Sequence, residues 1–261
     1  RPPRSTLFPY TTLFRSFYEQ GYYEGTSNFS YEDERKTEQF SFYVWNARIK
    51  KLNQSILSFS PNQDKNFLDI GCSFGGLLKA AEKKGFCSYG IELSDFSRTV
   101  SDGFFPGRVF KNFLEANFTS NFFDAITLIE VVEHLENPSV YLEKIYQLLK
   151  PGGLVLIQTA NMDGLQAKKA GETYHYFLPG HLFYFSKKNL EMKLKEIGFK
   201  KVKFFHPVEF GLIPKLRKSR GNFKLLKDYL KWFSIIFYHL KSLIVFKKFC
   251  LTSSMVVYAW K

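Results

Sequence analysis

Short apolar runs alternate with amphipathic stretches along residues 66–206. The runs NFLDIG, CSYGIEL, FFDAITLIE and LVLIQTA predict buried strands, and RVF near residue 109 predicts a weaker one. Between and after them, GGLLKAAEKKG, PSVYLEKIYQLLK and SKKNLEMKLKEIGF place apolar residues at helical spacing, with Ser186 as a predicted N-cap. This order predicts an α/β, Rossmann-like fold with an open, mostly parallel sheet and helices on both faces.

The whole chain divides into four parts by pattern. Residues 1–16 lack a regular pattern, resemble translated sequencing adapter, and are expected to be a non-native or disordered tail. Residues 17–65 predict an N-terminal helical cap whose apolar face carries Phe40, Val44, Ala47 and Leu52. Residues 66–206 with 251–261 form the predicted core, to which KKVKFFHP and SSMVVYAW contribute strands. Residues 207–250 are a basic insertion, predicted to be helical and amphipathic.

Charge is concentrated in that insertion. The chain carries a net charge of +13, and residues 211–250 hold ten Lys or Arg against the single acid Asp228. Lysines interleaved with large apolar side chains leave three interpretations open: a lid over an acceptor site, an interfacial helix on an anionic membrane surface through 211–248, or a nucleic-acid surface. The apolar content argues against nucleic acid.

The number and spacing of the cysteines predict a reducing compartment. The three cysteines, Cys72, Cys87 and Cys250, form no C-x-x-C pair, so neither a zinc ribbon nor a disulfide framework is indicated. The expected location is cytoplasmic, with or without membrane association. No apolar run is long enough to predict a transmembrane helix.

Polar and glycine positions follow the predicted strands at one sheet edge. Ligands of open α/β sheets bind there, beyond the carboxyl ends of the strands. The loop GCSFGG has Ser73 where a dinucleotide site of the G-x-G-x-x-G type has its second glycine, which disfavours a pyrophosphate. S-adenosylmethionine carries no phosphate, and Glu92 is placed to accept hydrogen bonds from its ribose hydroxyls. NAD would require an acid at the same place, so Glu92 alone leaves both cofactors open.

The segments FLDIGCSFGGLLKAAEKKG, YGIELS and FFDAITLIEVVEHLENPSVYLEKIYQLLKPGGLVLIQTAN resemble class I S-adenosylmethionine-dependent methyltransferases of the small-molecule, ubiquinone-biosynthesis-like subgroup. The resemblance implies a seven-stranded sheet with an antiparallel last strand and S-adenosyl-L-methionine as cofactor. It implies that Glu130 faces the cofactor and that Asn112 stands where the family often has Asp, with a carbonyl able to accept the same adenine bond. The full set of implied cofactor-binding residues is Asp69, Gly71, Cys72, Gly75, Glu92, Leu93, Asn112, Phe113 and Glu130.

Candidate catalytic groups follow the fourth and fifth strands. His181 and His134 are the predicted catalytic residues, since a neutral imidazole can act as a general base near pH 7. A helix after Glu130 would place Glu130, Glu133 and His134 on one face, and similar positions bind a metal in ubiquinone-type and small-RNA 2′-O-methyltransferases; we assign no metal here. The predicted reaction is methyl transfer to a small-molecule or lipid-linked sugar hydroxyl. The alternatives are an RNA 2′-O-methyltransferase and a non-catalytic or NAD-binding Rossmann protein.

Overall fold

The computed structural model describes residues 33–57, 64–178, 180–206, 208–246 and 249–261. The predicted tail at 1–16 and the first half of the predicted cap, 17–32, lie outside the described residues.

A seven-stranded sheet forms the centre of the molecule. Its strand order is β3-β2-β1-β4-β5-β9-β6, and β9 runs antiparallel to both β5 and β6 while the other pairs are parallel. This confirms the predicted fold class. The chain moves outward from β1 to β3 and then returns to β4, so the switch point lies between β1 and β4. The strands are β1 Lys65–Ile70, β2 Phe86–Ile91, β3 Val109–Phe110, β4 Phe123–Ile129, β5 Leu149–Ala160, β6 Lys201–Phe205, the separate hairpin β7 Val245–Phe246 with β8 Phe249–Cys250, and β9 Ser254–Trp260.

Helices cover both faces of this sheet. Polar caps explain several of their starts: Ser186 and Asn189 form a capping box before α7, as predicted for Ser186, and Ser94 caps α3. The helices are α1 Glu38–Asn53, α2 Gly76–Glu82, α3 Asp95–Phe104, α4 Phe113–Ala116, α5 Pro138–Leu148, α6 Leu165–Ala170, α7 Lys187–Ile197, α8 Ile213–Ser219 and α9 Lys231–Ser242, with 3₁₀ turns at Glu34–Thr37, Val132–His134, Gly171–Thr173, Arg220–Asn222 and Leu226–Leu230.

The apolar core has two layers, one on each side of the sheet. One layer packs Leu142 of α5 and Leu190 of α7 against the strands. The other packs Trp45 and Ile49 of α1 with Leu78 of α2 against the opposite face. Burial on both faces explains why the strands are continuous apolar runs instead of alternating ones.

Helix α1 buries a different face from the predicted one. Of the predicted face only Leu52 is buried, and Phe40, Val44 and Ala47 are partly buried; the other buried residues of α1 are Ser41, Trp45, Arg48 and Ile49. The reason is that α1 is packed on two sides, by α2 and by α8 of the insertion. A Cβ at Gly76 would overlap the Trp45 ring, so α2 begins with a glycine at this contact.

The insertion is less regular than predicted. It contains the helices α8 and α9, but α9 ends at Ser242, and the chain then forms the hairpin of β7 and β8. Pairing of Val245 with Cys250 favours the extended conformation there, and the buried Cys250 thiol accepts a hydrogen bond from Asn161 Nδ2 at 3.0 Å.

Candidate active site

The loop after β1 contains three residues in the left-handed backbone conformation. Gly71, Ser73 and Gly75 all have positive φ angles, of 78°, 49° and 79°. A Cβ on Gly71 would lie 2.6 Å from Cγ2 of Val131, which follows β4, so only glycine fits between these two segments. The amides of Gly71 and Cys72 both donate to Ile91 O at the end of β2. The glycine loop is therefore fixed at the switch point.

Glu92 lies directly after β2 and supports this loop. Its two carboxylate oxygens accept from the backbone amides of Ser73 and Ser94, each at 2.8 Å, and the residue is 7% exposed. Burial raises the pKa of Glu92, and the bonds from Ser94 and Ser73 partly offset that rise. The Ser97 hydroxyl and the Leu93 amide also lower this pKa by hydrogen bonding, so ribose hydroxyls would have to share the carboxylate with protein donors.

The side chains of Asp69 and Cys72 are turned into the protein. Asp69 accepts from Thr127 Oγ1 on the neighbouring strand at 2.5 Å, and burial raises the pKa of Asp69 to about 7. Cys72 is buried beside Gly90, and burial raises the pKa of its thiol. At these two positions, the backbone is the part best placed to meet a ligand.

Three residues surround the predicted adenine position. Leu93 is 38% exposed, an unusual degree for an apolar side chain at a strand end. Asn112 caps α4, and its Oδ1 accepts from the amides of Leu114 and Glu115 at 2.9 and 3.0 Å. Because both acceptor positions of Oδ1 are used, the expectation that this carbonyl accepts from an adenine amino group is not met, and the amide Nδ2 remains as its donor. The Phe113 ring packs 5.7 Å from that of Tyr141.

A buried polar chain connects Glu130 to the insertion. Glu130 Oε1 accepts from Gln158 Nε2 at 2.8 Å, and Gln158 Oε1 accepts from Arg48 Nη2 at 2.5 Å. Arg48 Nε then pairs with Glu209 at 2.7 Å, and these two side chains are only 5% and 0% exposed. The chain joins β5, α1 and the start of the insertion behind the candidate site.

The segment after β4 does not form the predicted helical face. Glu130 adopts a positive φ of 54°, so no helix runs from it into the 3₁₀ turn Val132–His134; its carboxylate accepts from Gln158, and its charge still acts on Glu133. The structure instead groups Glu133, His134 and His181, whose candidate ligand atoms all lie within 4.8 Å of one another. The two imidazole rings meet edge to face, with centroids 4.6 Å apart. The two predicted catalytic histidines, 47 positions apart in sequence, are therefore neighbours in space.

Burial controls the ionisation of this trio. It raises the pKa of Glu133 to about 9, with further help from the charge of Glu130, and lowers the pKa of His134 to about 4. It also lowers the pKa of His181. Both Glu133 oxygens and His181 Nδ1 are buried without a hydrogen-bond partner among the described residues. At neutral pH the imidazoles are uncharged, and these unsatisfied atoms are available to a substrate proton or a cation.

Aromatic side chains form one wall beside the histidines. Tyr176 and Tyr184 lie with ring centroids 6.3 and 6.1 Å from that of His181. Phe177 packs on Tyr184 at 5.0 Å, whereas the ring of the exposed His175 packs on Tyr174 and Tyr176. This wall suits a flat or apolar acceptor.

Sequence reasoning missed Arg48, Gln158, Glu209 and Thr127. Gln158 was the polar exception within the apolar run LVLIQTA, and this was the one available signal. Arg48 lies 110 and 161 positions from its partners, so nothing local in the sequence indicates their contact.

Comparison with known proteins bears on the family and the fold of this chain. A family model described as a methyltransferase domain matches residues 44–203. The chain is 28% identical over 144 residues to a ubiquinone biosynthesis O-methyltransferase of Caulobacter vibrioides, covering 51% of this chain and 56% of the relative. The mitochondrial enzyme of that name from Dictyostelium discoideum is 25% identical over 134 residues, covering 44% of this chain and 42% of the relative. The chain thus spans about half the length of these curated relatives.

Solved structures share the fold at low sequence identity. A SAM-dependent methyltransferase from Archaeoglobus fulgidus has a TM-score of 0.55 and 16% identity, covering 86% of this chain and 97% of its own. Phosphoethanolamine N-methyltransferase 2 of Haemonchus contortus, in complex with S-adenosyl-L-methionine, also has a TM-score of 0.55, with 18% identity, covering 95% of this chain and 60% of its own.

Proposed function

The chain belongs to the class I S-adenosylmethionine-dependent methyltransferases, and from that premise we propose that it methylates a hydroxyl of a small molecule or of a lipid-linked sugar. The pairing of His134 with His181, ring centroids 4.6 Å apart, is the observation that carries the proposal. A hydroxyl is a weak nucleophile until it loses its proton, so an uncharged imidazole beside the acceptor is the group this reaction requires. Family membership in an enzyme class argues against the non-catalytic or NAD-binding alternative.

The residues at the switch point fit S-adenosylmethionine. The fixed loop from Gly71 to Gly75 would receive its methionine part, Glu92 its ribose, and the exposed Leu93 its adenine. When bound, this cofactor supplies a methyl group already activated by a sulfonium. The remaining task of the protein is to orient the acceptor, exclude water and remove one proton.

The histidines are set up to take that proton. His134 Nδ1 lies 2.9 Å from Gly180 O, and a carbonyl only accepts, so Nδ1 carries the hydrogen and Nε2 carries the lone pair. His181 is only partly buried, next to the aromatic wall, and its lowered pKa keeps it uncharged at pH 7. We assign His181 as the proton acceptor and His134 as its support.

Methyl transfer from tritiated cofactor to two hydroxyl probes, catechol and a methyl glucoside, tests this assignment. His181→Gln should lower kcat by about 10²–10⁴-fold while the Kd for S-adenosylmethionine stays unchanged. His175→Gln, at an exposed ring outside the trio, is the matched control and should stay near wild type. Full activity of the His181 variant would reject the base, and transfer to amines but to no hydroxyl probe would reject the acceptor class.

The trio also favours a second candidate, an RNA 2′-O-methyltransferase that uses a divalent cation. Glu133, His134 and His181 offer one carboxylate and two imidazoles within 4.8 Å, a donor set suited to such a cation. This candidate predicts loss of transfer in EDTA, recovery with added Mg²⁺ or Mn²⁺, and salt-sensitive binding of an RNA oligonucleotide. Transfer that resists EDTA, without RNA retention, would remove it.

We further propose that the insertion contacts an anionic membrane surface. No helix among the described residues has the length and apolarity to cross a bilayer. Exposed apolar side chains nevertheless recur every three or four positions and share one side of the insertion: Leu226, Leu230, Phe233, Phe237, Leu240 and Ile244. Lysines flank them, and Lys241 Nζ lies 4.2 Å from the centroid of the Phe237 ring. An apolar stripe with cationic margins is the pattern of a helix lying at a lipid interface.

Co-sedimentation with vesicles tests this contact. Phe233→Ser with Phe237→Ser should abolish binding to phosphatidylglycerol vesicles, and phosphatidylcholine vesicles should bind the wild type more weakly. Leu114→Ser with Met192→Ser changes two exposed apolar side chains outside the insertion and serves as the control. Equal binding by both double variants would contradict the proposal.

A further inference from the structure

A cavity of about 500 Å³ lies between the insertion and the turn before α1, and apolar surface makes up more of its lining than polar surface does. Seven of its eight lining residues carry a hydrogen-bond donor on the side chain, and none is Asp or Glu. Lys215 and Lys218 of α8 and Asn222 of the following turn line it, together with Thr37 and with Ser234 and Tyr238 of α9. Its volume falls within the range of small-molecule sites.

Within the part of the chain that the structure describes, no acid neutralises the charge of this cavity. Neither Lys215 nor Lys218 takes part in an ion pair with the described residues. The charge of Glu209 acts on Lys215 and raises its pKa, but this carboxylate is already paired with Arg48 at 2.7 Å. Burial, together with the charge of Arg48, lowers the pKa of Lys215 to about 8. Two lysines three positions apart on one helix, Lys215 half-buried and Lys218 exposed, therefore line this space without a counter-charge from the described residues.

The donor set favours a phosphate group. Lys215, Lys218 and Asn222 supply several N–H donors from one side, and Ser234 and Thr37 add hydroxyls from two other elements. A phosphate has enough oxygens to accept from donors on several sides, whereas a carboxylate has two. The remaining volume leaves room for the body of a larger molecule.

A series of contacts leads from the cavity toward the candidate active site, beginning at Tyr238. Burial raises the pKa of Tyr238, and hydrogen bonds with Ser253 partly offset that rise. Tyr174 OH donates to the carbonyl of the same Ser253 at 3.2 Å, and Tyr174 packs on Tyr176 of the aromatic wall. Tyr238, Ser253 and Tyr174 therefore connect the cavity with the wall that flanks His181.

We propose that this cavity binds a phosphate group carried by the methyl acceptor. The identification of the ligand as the acceptor rests on the proposed function, while the phosphate site itself does not. The group can come from a soluble phosphomonoester or from a lipid headgroup delivered by the neighbouring stripe.

Calorimetric titration of the full chain with glycerol 3-phosphate and with glycerol tests the site, alongside co-sedimentation with phosphatidylcholine vesicles that contain phosphatidic acid. Lys215→Gln with Lys218→Gln should weaken lysine-dependent phosphate binding by about tenfold or more. Lys83→Gln with Lys84→Gln removes the same charge from an exposed turn and should change binding less than about twofold. Saturable glycerol 3-phosphate binding would identify a soluble source, and binding confined to the phosphatidic acid vesicles would identify a lipid.

Equal binding of both probes by the two double variants would overturn the phosphate site, as would equal affinity for glycerol. The Kd for S-adenosylmethionine, measured on the same preparations, should be unchanged and also reports folding. If phosphate binding fails while cofactor binding persists, the cavity proposal falls and the methyltransferase stands. Phosphate binding that neither competes with nor promotes methyl transfer would separate the site from the acceptor.

Discussion

At the residue scale, Glu92 combines an observed role in holding the loop with a proposed role at the ribose, and one substitution cannot separate them. Its carboxylate accepts from the amides of Ser73 and Ser94 and is also placed for the ribose. Glu92→Ala should weaken S-adenosylmethionine binding by about 1–3 kcal/mol, measured by calorimetry. Glu92→Gln keeps one acceptor oxygen and should lose less. Unchanged affinity in the alanine variant would refute the ribose role.

Glu133 should make stability depend on pH. Its folded-state pKa of about 9 lies above the ordinary 4.5, so the native protein keeps a proton that the unfolded chain releases. The free energy of unfolding contributed by this group is complete below about pH 4.5 and falls as pH rises toward 9. Glu133→Gln, which stays neutral, should raise the melting temperature at pH 8.5 in EDTA and flatten this dependence. An identical pH profile in wild type and variant would contradict the assignment.

At the element scale, the turns at Gly71, after β1, and at Gly85, before β2, allow two energetic costs of a side chain on glycine to be compared. Gly85 has a positive φ of 81° and open space around its missing Cβ, whereas Gly71 has both a positive φ and Val131 at 2.6 Å. Gly85→Ala should cost about 1–2 kcal/mol in unfolding free energy from the backbone alone. Gly71→Ala should cost about 2–4 kcal/mol because overlap is added.

Chemical denaturation gives both values. Val131→Ala should recover part of the Gly71 loss and none of the Gly85 loss. Equal costs at the two glycines would show that the contact with Val131 carries no energy.

Some elements could be predicted from the sequence, and others could not. The strands and the helices α5 and α7 were predictable because their apolar periods and caps are local signals, as at Ser186. Helix α3 was missed because DFSRTVSDGF offers few apolar positions to set a period. The trio of Glu133, His134 and His181 depends on where a long loop returns, since Leu182 and Phe183 donate to the carbonyl of Glu133. No pattern in a single sequence specifies that return.

At the scale of the whole molecule, the buried pair of Arg48 and Glu209 ties the insertion to the core. Removing one partner leaves an uncompensated buried charge, so Arg48→Ala should lower the free energy of unfolding by about 3–5 kcal/mol. Arg48→Met with Glu209→Leu should recover much of this loss. Lys193→Ala, which breaks an exposed pair with Glu196, is the control and should cost less than about 1 kcal/mol. Urea denaturation measures all three, and a small loss in Arg48→Ala would contradict this account.

The same guanidinium has a consequence for anyone who wishes to shorten this protein. Excising residues 208–250 would take away the only carboxylate paired with Arg48 among the described residues and leave Gln158 as the remaining side-chain hydrogen-bond partner among them. A trimmed gene should therefore carry an apolar replacement at position 48 from the start. Lineages that lost the segment would face the same requirement, so the two changes should be found together.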